Sequence, residues 1–129
     1  MPQAKVISRR AVVRTSFVGF HCWPEAQGPR AYLRHRHRHR FDVEVELATR
    51  AEDREVEFHD LLAVVEDAIA AIGGPAEGEK HSRELGRMSC EDIAERVGNL
   101  VAFKWSRYMT VRVFEDGEAG ADLHFEPAG

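Results

Sequence analysis

Between Arg34 and Arg40 arginine and histidine alternate without a break, placing His35, His37 and His39 two residues apart. Alternate residues of an extended strand share a face at a spacing of about 6.5–7 Å. Two such imidazoles can therefore close on one divalent ion at metal–nitrogen distances of about 2.0–2.1 Å. A third histidine, four residues along, lies about 13 Å away and is out of reach of the same ion unless the strand bends. The run thus offers two ligands, in the register His37/His39 or His35/His37, and a metal needs a third from elsewhere. His21 is the candidate, because it ends an earlier β-prone stretch and an antiparallel neighbour brings it opposite the start of the run. Three histidines with an open fourth position form the ligand set of a catalytic zinc rather than a structural one. Such a zinc polarises a substrate oxygen or acidifies a neighbouring proton.

A solvated basic loop is the competing reading of an arginine–histidine run. Phase decides between the two. The histidines continue the odd-numbered face of Leu33, Phe41, Val43, Val45 and Leu47, the side that a half-buried strand turns inward. An imidazole nitrogen buried there without a partner costs about 1–3 kcal/mol, so these rings need something to bind. Arg34, Arg36, Arg38 and Arg40 share the even face with Asp42, Glu44 and Glu46, which compensate them locally. With 18 Lys and Arg against 22 Asp and Glu the net charge is −4, so no global basic field exists and a nucleic-acid partner is not expected.

The elements that must position these residues follow from periodicity. Residues 5–21 are rich in Val, Ile, Thr and Phe, with Phe17, Gly19 and His21 on one face and Val18 and Phe20 on the other. Pro24, Gly28 and Pro29 mark a loop, and a second strand is expected over residues 33–47. Phe58, Leu61, Leu62, Val65, Ile69 and Ile72 follow the spacing of a helix stopped by Gly73-Gly74-Pro75. The Gly- and charge-rich residues 75–88 read as an exposed loop. Ser89 with Asp92 is a capping-box start to a second helix whose stripe is Ile93, Ala94, Val97, Leu100 and Val101. Met109, Val111 and Val113 alternate, with Glu115 ending their face; Asp116-Gly117 turns the chain into a short strand through Ala121, Leu123 and Phe125. The order predicts an α+β domain: a four-stranded antiparallel sheet (ββααββ) with two helices on one face.

A chain of 129 residues fits one domain, spanning 1–129. No apolar run reaches the ~18 residues of a spanning helix. Met1-Pro2-Gln3-Ala4-Lys5 lacks the apolar stretch of a signal peptide, and Cys22 and Cys90 make no disulfide framework, so a reducing cytoplasmic location is expected. Cys22, on a strand next to His21, is expected to point to the opposite face. His59 and His124 fall off the apolar stripes and read as surface residues, and Trp23 and Trp105 as packing or interface residues.

Over residues 15–126 the chain resembles the 6-pyruvoyl-tetrahydropterin synthase / 6-carboxy-tetrahydropterin synthase family of the tunnelling fold, the latter branch serving queuosine biosynthesis. The family's Phe-x-x-x-His on the first strand is matched by Phe17…His21, and its His-Gly-His-Asn-Tyr by His37-Arg38-His39-Arg40-Phe41. Glu57-Phe58 stands where the family has Asp-Phe, and Ser89-Cys90-Glu91-Asp92-Ile93-Ala94 matches its Thr/Ser-x-Glu-x-x-Ala helix start. Glu115, in Val111-Arg112-Val113-Phe114-Glu115, matches the family's glutamate near the end of the third strand.

The resemblance implies a Zn2+ ion on His21, His37 and His39 and a substrate of the dihydroneopterin triphosphate class. It implies that Glu115 accepts hydrogen bonds from the pterin ring amide and amine, and that Lys80-His81 stands for the family's Asp-His pair, with His81 as the proton-moving residue. It also implies a homo-oligomeric ring with sites between subunits, which open sheet edges in a small domain favour independently. The family's catalytic cysteine has no counterpart: Ala31 and Leu33 occupy its region. A lyase is the expectation, and a zinc- and pterin- or purine-binding homologue without turnover is the alternative.

Overall fold

Period-two alternation builds the centre of the molecule. The computed structural model describes residues 1–50, 52–78 and 81–128. Strand β1 (Arg10–His21) pairs antiparallel along its whole length with β2 (His37–Ala48), from Arg10 opposite Ala48 to His21 opposite His37. The chain then forms α1 (Phe58–Ala70), β3 (Gly74–Pro75), β4 (Arg83–Gly86), α2 (Cys90–Ala102), β5 (Met109–Glu115) and β6 (Ala119–Phe125). These strands make a six-stranded sheet in the order β3-β4-β1-β2-β5-β6.

The four strands expected from alternation are adjacent and mutually antiparallel, as β1-β2-β5-β6. The sheet is nevertheless mixed and wider than the expected four strands. Residues 75–88, read as an exposed loop, contribute β3 and β4, and β4 runs parallel to β1. One apolar residue anchors this addition: Leu85 is 2% exposed and joins the core. Gly73, at φ +64, turns the chain out of α1, and the Arg83 guanidinium donates to the carbonyls of Ala70 and Ile72 at that helix's end. Lys80 lies outside the described residues.

Two boundaries also move. The first strand starts at Arg10 rather than Lys5, because β2 ends at Ala48 and beyond it only Thr49 N–H, donating to the Arg9 carbonyl, continues the pairing. The second starts at His37 rather than Leu33. Gly28 at φ +58 and Pro29 open a 3₁₀ helix over Gly28–Arg34, closed by a hydrogen bond from Trp23 N–H to the Leu33 carbonyl.

Odd-numbered residues of β1, β2 and β5 face the helices. Phe41, Val43, Val45, Leu47, Val111 and Val113 are fully buried there. Helix α1 adds Leu61, Val65 and Ile69, and α2 adds Ile93, Val97 and Val101. Phe58, counted in the α1 stripe, is 62% exposed because it occupies the helix's first turn. The Glu57 carboxylate caps α1 by accepting from Asp60 N–H, and Ser89 with Asp92 forms the expected capping box on α2.

The opposite sheet face carries ion pairs in place of a covering layer. Arg14 meets Glu44 at 2.6 Å, and Arg112 bridges Glu44 and Glu46 at 2.7 and 2.9 Å. No helix among the described residues is long and apolar enough to cross a membrane.

Candidate metal centre

His21 is the last residue of β1 and His37 the first of β2, and the register sets them directly opposite each other. His39, two residues on, stands opposite Gly19 on the same face. The three ring centroids are 4.5, 4.9 and 5.3 Å apart, and one nitrogen from each ring lies within 4.8 Å of the others. Phe41 packs edge-on against His21 and His39. Gly19 keeps that packing possible: a Cβ there would fall 2.7 Å from Leu85 Cδ1 and 2.9 Å from Phe41 Cε2.

Each ring is held from behind through Nδ1. His21 Nδ1 donates to the Met88 carbonyl at 2.8 Å, His37 Nδ1 to the His35 carbonyl at 2.8 Å, and His39 Nδ1 to Asp116 Oδ2 at 2.6 Å. Carbonyl and carboxylate oxygens only accept, so the proton sits on Nδ1 in all three rings and a neutral ring turns its Nε2 lone pair toward the others. This is the outer support that metal-binding histidines characteristically have. Burial pulls the His21 pKa below the ordinary imidazole value, against the Met88 bond and the Glu115 charge that raise it. The His39 hydrogen bond, followed by Arg40 N–H, pulls Asp116 below the usual aspartate range.

Glu115 closes the remaining side. Its Oε1 is 3.3 Å from His21 Nε2 and its Oε2 3.7 Å from His39 Nε2. Three imidazole lone pairs and a carboxylate form a cluster of acceptors, the donor set that a divalent cation satisfies; imidazole nitrogen with carboxylate oxygen suits zinc. His21, His37 and Glu115 line a cavity of about 370 Å³, bounded also by Trp23, Leu33, Met88 and Ala121, while His39 stands off its wall. Cys90, in the first turn of α2, also lines the cavity; burial first, then the nearby Glu115 carboxylate, push its thiol up to about 12. Arg87 reaches the same cavity and is ion-paired with Glu25.

The structure thus brings together His21, His37, His39 and Glu115, but not His35 or His81. His35 caps the 3₁₀ helix and is exposed, so the His35/His37 register is not the one that converges. His81 lines a separate concavity with Thr15, Phe17 and Glu66. Cys22, expected to face away, lies one residue beyond the end of β1 and lines the cavity, because the β1–β4 register shifts between Phe20 and His21. Of the arginines in the run, Arg36 pairs with Glu84 at 2.8 Å and Arg40 with Asp42 at 3.1 Å. His59 and His124 are exposed, as expected.

Two participants escaped sequence reasoning. Met88 contributes only a backbone carbonyl, which no residue type announces. Asp116 reads as a turn residue, and that local role hides its long-range one. Compared with known proteins, the chain matches no family model and no curated sequence.

Proposed function

We propose that the protein is a zinc-dependent pterin-processing enzyme of the 6-pyruvoyl- or 6-carboxy-tetrahydropterin synthase type. In this reading it is a cytoplasmic tunnelling-fold subunit that assembles into a homo-oligomeric ring. The observation that carries the reading is the convergence of His21, His37 and His39, two of which, His21 and His37, line a cavity of about 370 Å³ together with Glu115. A cavity of that size admits a small heterocycle.

In this reading His21, His37 and His39 hold the ion, and Met88, His35 and Asp116 keep their rings in the ligating tautomer. The zinc supplies Lewis acidity toward a side-chain hydroxyl of dihydroneopterin triphosphate or a related pterin and acidifies the adjoining C–H. Glu115 accepts from the ring amide and exocyclic amine. His81 serves as proton carrier where a neighbouring subunit of the ring brings it to the cavity, since within one chain it lies in another concavity. The test is incubation of the zinc-loaded protein with dihydroneopterin triphosphate. A tetrahydropterin product is expected; absence of both a pterin product and acetaldehyde rejects the lyase.

One observation favours a second reading. Ala31 and Leu33, in the 3₁₀ helix, occupy the region of the family's catalytic cysteine. A homologue that binds zinc and a pterin- or purine-like ring without turnover would show tight ring binding in the same incubation and an unchanged ligand afterwards.

A further inference from the structure

Glu115 stands in a place that anchoring a ring explains only in part. Glu115 lines the cavity, as a residue that holds a heterocycle would, but its carboxylate oxygens also lie beside two of the histidines, Oε1 at 3.3 Å from His21 Nε2 and Oε2 at 3.7 Å from His39 Nε2. Two ligand atoms bound tetrahedrally to one ion at about 2.0–2.1 Å lie about 3.3 Å from each other. A charged N–H···O bond is shorter, about 2.7–2.9 Å. The His21–Glu115 separation is close to the first geometry, and the 3.7 Å to His39 leaves the carboxylate a short further approach to make around an ion. The ring nitrogens that do donate, the Nδ1 atoms, are all engaged elsewhere at 2.6–2.8 Å.

We propose that Glu115 is a displaceable fourth ligand: with the cavity empty its carboxylate completes the coordination shell begun by His21, His37 and His39, and an entering heterocycle draws it away. The inference rests on the metal reading of the preceding section and adds a second position for the same carboxylate. Its place in the fold permits both. Glu115 is the last residue of β5, immediately before the Asp116-Gly117 turn, so its side chain moves without disturbing a buried layer. Cys90, in the first turn of α2, lines the same cavity, so open space lies beside the carboxylate for it to swing into. The consequence is protective: the ion's open position is closed to adventitious anions until a ligand able to hydrogen-bond Glu115 arrives.

The experiment uses the full chain, freed of metal by a chelator and reloaded with Co2+, whose visible d–d bands report coordination number and ligand type. Zinc affinity is measured by competition. Glu115→Gln is expected to alter the Co2+ spectrum of the ligand-free protein and to weaken zinc by about 10–100-fold. Neopterin added to the parent is expected to shift the spectrum, and to leave that of Glu115→Gln nearly unchanged. Glu115→Asp keeps the charge with a shorter reach and is expected to lose affinity by a smaller factor, which separates a lost ligand from a misfolded variant. An unchanged spectrum and a zinc affinity within twofold of the parent in Glu115→Gln overturn the proposal while leaving the histidine site standing. Failure of the parent to bind either metal overturns the histidine site as well.

Discussion

His21 and His37 are register partners where β1 and β2 meet beside the cavity, with ring centroids 4.5 Å apart. Strand pairing therefore delivers two of the three candidate ligands before any loop is considered, and His39 follows from the two-residue repeat of β2.

The purified chain is expected to carry about one zinc per molecule and to lose most of it in His37→Ala and in His39→Ala. His35→Ala is expected to keep it, because His35 supplies only a carbonyl to His37. Elemental analysis of the four proteins checks this. Zinc retained by His39→Ala and lost by His35→Ala would shift the register by two residues.

Asp116→Asn is expected to weaken zinc binding by about 10–100-fold with little loss of stability. The amide keeps a single oxygen: where it goes on accepting from Arg40 N–H, its NH2 group meets His39 Nδ1–H donor against donor, and the 2.6 Å bond that fixes the ring's tautomer is lost. Competition titration gives the affinity and thermal melting the stability. Equal affinities would remove Asp116 from the site.

Gly98 in α2 packs against Phe125 of β6: a Cβ there would run into the Phe125 ring. Gly98→Ala gains about 1 kcal/mol of helix propensity, but forcing a rigid ring outward costs about 1–3 kcal/mol. A net destabilisation of about 1 kcal/mol is expected, read as a lower melting temperature, with recovery in Gly98→Ala combined with Phe125→Leu. A more stable single variant would show that Phe125 moves freely.

Glu55 accepts from Arg107 at 2.8 Å and from Arg50 N–H at 3.0 Å, tying the segment after β2 to the start of β5. The Arg107 hydrogen bond, then the Arg50 one, lower its pKa from 4.5 to about 2. A depressed carboxylate pKa means that the folded chain holds fewer protons than the unfolded one. The stabilisation is complete above about pH 4.5 and is lost as pH falls toward about 2. Melting temperatures of the parent and Glu55→Gln are expected to differ at pH 7 and to converge across that window. A gap that persists at pH 2 would assign the difference to packing.

Much of the framework was readable in the residues. Alternation marked β1, β2, β5 and β6, the 3.6-residue stripes marked both helices, and Ser89 with Asp92 marked the start of α2. Each is a local pattern, set by which side chains face the same way within one element. The same alternation misled at Leu33 and His35, which keep the phase of β2 but belong to a turn that Gly28 and Pro29 impose. Strand β4 has Leu85 as its one apolar residue, too little for a periodic signal; it becomes a strand by pairing with β1.

By itself the amino-acid order determined that three imidazoles sit in phase with a buried face and that Glu115 ends another strand of the same parity. Which rings meet was settled only in three dimensions. The β1–β2 register places His37 rather than His35 opposite His21, the β2–β5 register carries Glu115 to Phe41, and the turn after β5 puts Asp116 behind His39. Side-chain phase repeats every two residues within a strand, so it specifies a face but leaves sliding by two residues open. The packing of Phe41 and Leu85 over Gly19, between strands distant in the chain, chooses among those positions.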